Sequence, residues 1–161
     1  MKQNMTNGCA KVLEEIYSSY LEELRIAREK QSPTDGLLGM GSAIGSNECH
    51  DRFAENVERA VADMAARPVS EEEAEAALWY ILRTPSSLCE EDECAVLMLE
   101  AVQGLSLPLT ALVSEAAAKE LLLWYCGQYP KNRRLPSQNK LVKALEARAG
   151  KPTSKTKRRW F

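Results

Sequence analysis

Cysteine, histidine and aspartate stand side by side at Cys49-His50-Asp51, and His50 is the only histidine in the chain. These are the residue types of a nucleophile, its base and an orienting acid. Consecutive helical side chains point about 100° apart, so the three cannot form a triad among themselves. The other cysteines, Cys9, Cys89, Cys94 and Cys126, provide no C-x-x-C pair, and a tetrahedral metal site is not expected. Cys49 reads as a packed thiol, and His50 as a residue at the edge of the same apolar stripe. The run Glu90-Glu91-Asp92-Glu93 has the oxygens of a cation site, but acids also gather in first helical turns because the dipole favours them. Glu120 projects into the middle of an apolar face; a buried carboxylate needs a partner, so a salt bridge with an arginine such as Arg83 is expected. The glycines Gly39, Gly41 and Gly45 resemble a phosphate cradle opening a helix, yet no strand precedes them as a dinucleotide-binding fingerprint requires. No catalytic residue, metal or cofactor is therefore expected, and the chain is not read as an enzyme.

Charge is distributed unevenly. From Lys131 onward there are 11 Lys/Arg against one acid, Glu146, although the whole chain carries a net charge of −2. Residues 1–130 must then carry 22 acids against 10 bases. A basic end on an acidic body is a recognised mark of polyanion binding. The stretch after Gly127 holds Arg133, Arg134, Lys140 and Lys143, then a tail with Lys155, Lys157, Arg158, Arg159 and Trp160.

The elements that must position these groups follow from apolar spacing. A first helix is expected over Cys9–Lys30, with Leu13, Ile16, Tyr17, Tyr20, Leu21 and Leu24 on one face, stopped at Ser32-Pro33. A Gly-rich loop, 31–45, carries Leu37, Leu38, Met40 and Ile44; it is a connector, or an apolar lip that grips a protein partner. A second helix follows over Ser46–Ala66. A third begins at Ser70, with Glu73 closing a capping box, and ends at Thr84-Pro85. A fourth spans Ser87–Gln103, with Gly104 as its C-cap. An apolar helix over Leu107–Cys126, a polar elbow, and a short helix over Ser137–Ala149, capped by Ser137 and ended by Gly150, complete the series. Leu109, Leu112, Val113, Ala116, Leu123 and Trp124 are expected to share the inner face of the fifth helix.

The fold class expected is mainly α: a bundle of about four to five helices followed by a C-terminal helix-turn-helix or winged-helix-like module. Residues 1–105 would form the acidic bundle and 106–161 the basic module. No stretch of about 18 uncharged apolar residues occurs, and Met1–Thr6 lacks a signal-peptide core. The odd cysteine count of five argues for reduced thiols in a cytoplasmic protein.

One segment carries a family resemblance. An apolar helix ending Leu122-Leu123-Trp124-Tyr125-Cys126-Gly127 is followed by Leu135-Pro136-Ser137-Gln138-Asn139-Lys140-Leu141. Then come Lys143-Ala144-Leu145-Glu146-Ala147-Arg148, Gly150 and the Arg158-Arg159-Trp160 ending. This order resembles the winged-helix segment at the C-terminus of phage and plasmid primase–helicases, over about residues 113–161. The resemblance implies a DNA-binding module of a mobile element with a Ser-initiated recognition helix and a basic wing. It implies no ATPase, since no G-x-x-x-x-G-K-[ST] occurs.

The function expected is thus a small non-enzymatic DNA-binding accessory or regulatory protein. Lysines and arginines of the basic end would neutralise phosphates, Gln138 and Asn139 would reach base edges, and Trp160 would stack on an unpaired base. The alternatives are that the tail docks on the chain's own acidic body, or that the protein is a helical adaptor with no nucleic-acid role. A protein partner would then be held through Leu37, Leu38, Met40 and Ile44, and a partner or a second copy through the helical bundle.

Overall fold

The computed structural model describes residues 8–29, 40–87 and 93–150. They are helical nearly throughout, and no strand occurs among them. The elements are α1 (Gly8–Glu29), α2 (Met40–Ala66), α3 (Glu71–Ser87), α4 (Glu93–Ala101), a 3-10 segment (Val102–Ala111), α5 (Glu115–Gln128), a 3-10 turn (Lys131–Arg133) and α6 (Pro136–Arg148). Leu37 and Leu38, the run 88–92, and the tail with Lys155, Lys157, Arg158, Arg159 and Trp160 lie outside the described residues.

α1 forms as its spacing dictates. Cys9, Leu13, Tyr17, Tyr20 and Leu24 recur on one face and are buried. On the outer face Arg25 pairs with Glu22 and Glu29, each at 2.6 Å; such exposed i,i+3 and i,i+4 pairs are screened by water and add little to stability. The core of this half is aromatic. Tyr20 stacks on Phe53 with ring centroids 4.2 Å apart, while Tyr17 meets Phe53 and Tyr80 edge to face. α2 begins at Met40 rather than Ser46, so residues 40–45 of the expected loop, Met40 and Ile44 included, are helical. Gly41 and Gly45 each lower helix propensity by about 1 kcal/mol, which makes this stretch read as loop. Extending a helix that is already nucleated gains a hydrogen bond for every residue fixed.

α3 starts at the expected Ser70 cap, whose Oγ accepts the Glu73 N–H at 3.1 Å, but Glu73 does not close the capping box. The Glu73 carboxylate lies 3.4 Å from the Cys9 thiol, which donates to it. Pro85 does not end this helix, which runs on to Ser87. So close to the terminus, proline removes only one rung of the ladder, and Pro85 is itself buried.

The largest departure lies between residues 101 and 115. Gly104 caps nothing; the chain passes through it in a continuous 3-10 segment. The break comes at Leu112–Ser114, where Ser114 Oγ accepts the Ala117 N–H at 3.1 Å and opens α5. A 3-10 helix turns about 120° per residue against about 100° for an α-helix, so a projection run straight from Leu107 to Cys126 loses phase. The buried face of α5 is accordingly Ala117, Ala118, Leu121 and Tyr125. Leu123 is 79% exposed. Glu120 is exposed as well and needs no buried partner. Arg83 instead stacks on Trp79, with its guanidinium carbon 4.0 Å from the ring centroid.

α6 packs on both the 3-10 segment and α5, and Leu141, Val142, Leu145 and Ala149 join the same apolar cluster as the α1–α3 core. The expected boundary between residues 105 and 106 falls inside the 3-10 segment, so a single core serves both halves of the chain.

Candidate nucleic-acid interface

α6 owes its position to a buried polar cluster. Gln103, fully buried, accepts through Oε1 from the Tyr125 hydroxyl at 2.6 Å and from Gln138 Nε2 at 2.9 Å. Its Nε2 donates to the Tyr129 hydroxyl at 3.2 Å and approaches the Leu82 carbonyl at 3.4 Å. Four elements or connectors meet at that one amide. Burial pushes the phenols of Tyr125 and Tyr129 up from their ordinary value, so both hydroxyls stay neutral, Tyr125 donating to the Gln103 amide and Tyr129 accepting from it. Gly104 lies directly beneath the start of α6: a Cβ there would stand 2.7 Å from Ser137 Cβ. The glycine is required by close approach, not by a helix cap.

The helix start differs from the sequence expectation in a way that matters for function. Leu135 is the N-cap and Pro136 the first helical residue, which places Ser137 inside the helix. The missing N–H of a first-turn proline costs nothing. Gln138 Oε1 accepts the Leu135 N–H at 2.8 Å, and Gln138 is only 2% exposed. Gln138 is thus a buried structural residue and is not placed to reach a base edge. Gly150 ends α6 as expected, with φ at 88°. Arg148 ties the other end of α6 down by donating from Nε to the Val113 carbonyl at 2.6 Å.

On this platform four cations of the described basic end face outward. Lys131, Arg133, Lys140 and Lys143 are exposed. None of the four forms an ion pair among the described residues. Between α5 and α6 lies a cleft of about 560 Å³ lined by Cys126, Lys131, Arg134, Asn139, Val142, Lys143 and Glu146. Arg134 is held at its wall. Its Nε donates to the Tyr129 carbonyl at 2.8 Å, one terminal nitrogen lies 3.5 Å from Asn139 Oδ1, and the other lies 3.7 Å from Cys126 Sγ. Asn139, half-buried, faces this cleft as part of its lining. Sequence reasoning missed Lys131, Cys126, Val142 and Glu146 as cleft residues, because residues far apart in the chain converge only once α5 and α6 are packed.

The Cys49-His50-Asp51 run makes no reactive constellation. Cys49 is buried at 5% exposure, and His50 Nδ1 lies 2.7 Å from the Tyr20 hydroxyl in a contact that builds the α1–α2 interface. Among the described residues no group of three or more His, Cys, Asp or Glu side chains is placed to hold a metal ion. None of the described helices is long and apolar enough to cross a membrane.

Comparison of the chain with protein-family models, with curated proteins and with solved structures returned no match.

Proposed function

We propose that the α5–α6 face is a nucleic-acid-binding surface and that the protein is a non-enzymatic DNA-binding accessory factor. The observation that carries this is the exposure of Lys131, Arg133, Lys140 and Lys143 without an ion pair among the described residues, two of which, Lys131 and Lys143, line one cleft. Lysine and arginine heads left free of carboxylates are available to displace counterions from a phosphate backbone, which gives affinity without sequence selection. With Gln138 withdrawn into the core, base reading at the start of α6 falls to Asn139 alone, so the expected contact is chiefly with backbone. In this reading α5 and α6 form a helix-turn-helix in which α6 lies against DNA. The whole chain is expected to bind duplex DNA in fluorescence anisotropy with micromolar or tighter affinity at low salt, weakening steeply as salt rises. Folded protein that binds no DNA at low salt would refute the proposal.

An adaptor role is favoured by a different observation, the exposure of Leu123 at 79% and Leu97 at 64%. Large apolar side chains held in solvent mark contact sites when they cluster. Loss of a partner on changing Leu97 and Leu123 to serine, with DNA binding intact, would favour that role.

A further inference from the structure

We propose that the cleft between α5 and α6 takes a terminal phosphomonoester carried by a nucleotide, which deepens the nucleic-acid reading and rests on it. Two sources share this chemistry, the phosphorylated end of a strand and a free mononucleotide. Three properties of the cleft point to it.

The first is charge. The lining holds three cations, Lys131, Arg134 and Lys143, against one carboxylate, Glu146. A phosphodiester offers a single negative charge to that surplus of two, whereas a phosphomonoester carries about −1.5 to −2 near pH 7 and three acceptor oxygens.

The second is shape. A volume of about 560 Å³ falls within the roughly 300–1,000 Å³ range of small-ligand pockets. A duplex presents its diesters on a convex rod, which can touch Arg133 and Lys140 outside but cannot enter a concavity. A strand end can. Val142 and the Cys126 side chain supply an apolar stretch of wall for the sugar or base behind the phosphate.

The third is preorganisation. Arg134 is fixed by the Tyr129 carbonyl and leans on Asn139 and Cys126. A guanidinium has five N–H donors in a rigid fork, so these contacts orient it while leaving hydrogens for a ligand. Asn139 accepts from Arg134 through Oδ1 and keeps its amide hydrogens for the same ligand. Orienting donors before binding lowers the entropy lost on binding.

The test compares the full chain against single-stranded oligonucleotides that differ only in a 5′-phosphate or 5′-hydroxyl end, at one salt concentration. The 5′-phosphate is expected to raise affinity about tenfold, the size of one added charge-assisted hydrogen bond. Lys143→Gln should shrink that ratio towards one, while Arg133→Gln, outside the cleft, should weaken both ligands and keep the ratio. Cys126, half-exposed on the cleft wall, gives a second readout: the phosphorylated strand should slow its alkylation, read site by site by mass spectrometry, and the hydroxyl strand should not. Adenosine monophosphate that protects Cys126 equally well would identify the free nucleotide as ligand; protection by the phosphorylated strand alone would identify the strand end. Equal affinity for the two strands with no change at Cys126 overturns the inference and leaves the nucleic-acid surface standing. No binding of either strand, with no protection of Cys126 by adenosine monophosphate, overturns the inference; the nucleic-acid surface falls with it only if duplex DNA is not bound either.

Discussion

Replacing Gln103 with methionine keeps the side chain's length and removes its amide. The amide's hydrogen bonds to the Tyr125 hydroxyl, Gln138 Nε2, the Tyr129 hydroxyl and the Leu82 carbonyl go with it. They are not equal. Tyr129 is half-exposed, so its hydroxyl can turn to water, and the 3.4 Å approach to Leu82 is weak. Tyr125 and Gln138 are buried and would be left without a partner for one hydrogen each. A stranded buried polar group costs about 1–3 kcal/mol, which for the two gives a loss of about 2–6 kcal/mol for Gln103→Met. That is a large part of the roughly 5–15 kcal/mol that holds a domain folded. Urea denaturation followed by circular dichroism measures it: with a slope of about 2 kcal/mol per molar, the midpoint should fall by roughly 1–3 M. Tyr129→Phe, in the same cluster but reachable by water, should cost less than about 1 kcal/mol. A loss below about 1 kcal/mol for Gln103→Met would show that the amide is not the pin that fixes α6, and the positioning of the cleft would need another cause.

Gly104→Ala should destabilise by about 1–3 kcal/mol through overpacking against Ser137, and Gly104→Ala with Ser137→Gly should recover most of the loss in the same denaturation assay. Tyr17→Phe should stabilise by about 1 kcal/mol, because the buried Tyr17 hydroxyl has no hydrogen-bond partner among the described residues; a rise of about 2–4 °C in Tm checks it. Burial pushes the Tyr17 phenol above its ordinary value, so its contribution to stability is complete below about pH 10 and is lost as pH rises further, when the unfolded chain ionises first. The expected loss is about 1.4 kcal/mol per pH unit from this residue, seen as a falling urea midpoint between about pH 9.5 and 11. A flat midpoint over that range would contradict it.

Much of the helical framework is legible from spacing alone. The inner residues of α1, the Ser70 cap and the Gly150 stop are local signals, and local physics decides them. The departures share a different origin. Gly104 reads as a cap because glycine commonly ends helices, whereas its role is set by Ser137, 33 positions on in the sequence. Pro85 reads as a stop because the burial that retains it is tertiary. Glu120 and Leu123 project onto the wrong face because the 3-10 residues 107–111 and the break at Leu112–Ser114 shift the phase of everything after them. At the candidate site the cations can be counted in sequence, but not which of them are open. Gln138 at the start of a basic helix reads as a base-contacting residue, and only the buried Gln103 amide shows that it faces inward. One hint is present: Gln103 is an uncharged polar residue amid an apolar run, and Tyr125 and Tyr129 are one helical turn apart, as a buried partner set would be.

The most direct test of the cationic face is the salt dependence of duplex binding, measured for the unaltered chain and for a variant with Lys131, Arg133, Lys140 and Lys143 all changed to glutamine. Each phosphate that the protein no longer neutralises should flatten the slope of log affinity against log salt by about 0.9, so the variant is expected to be shallower by roughly 3–4 and to keep the urea midpoint of the parent. A variant that is equally stable and binds with the same affinity and the same slope would contradict the account.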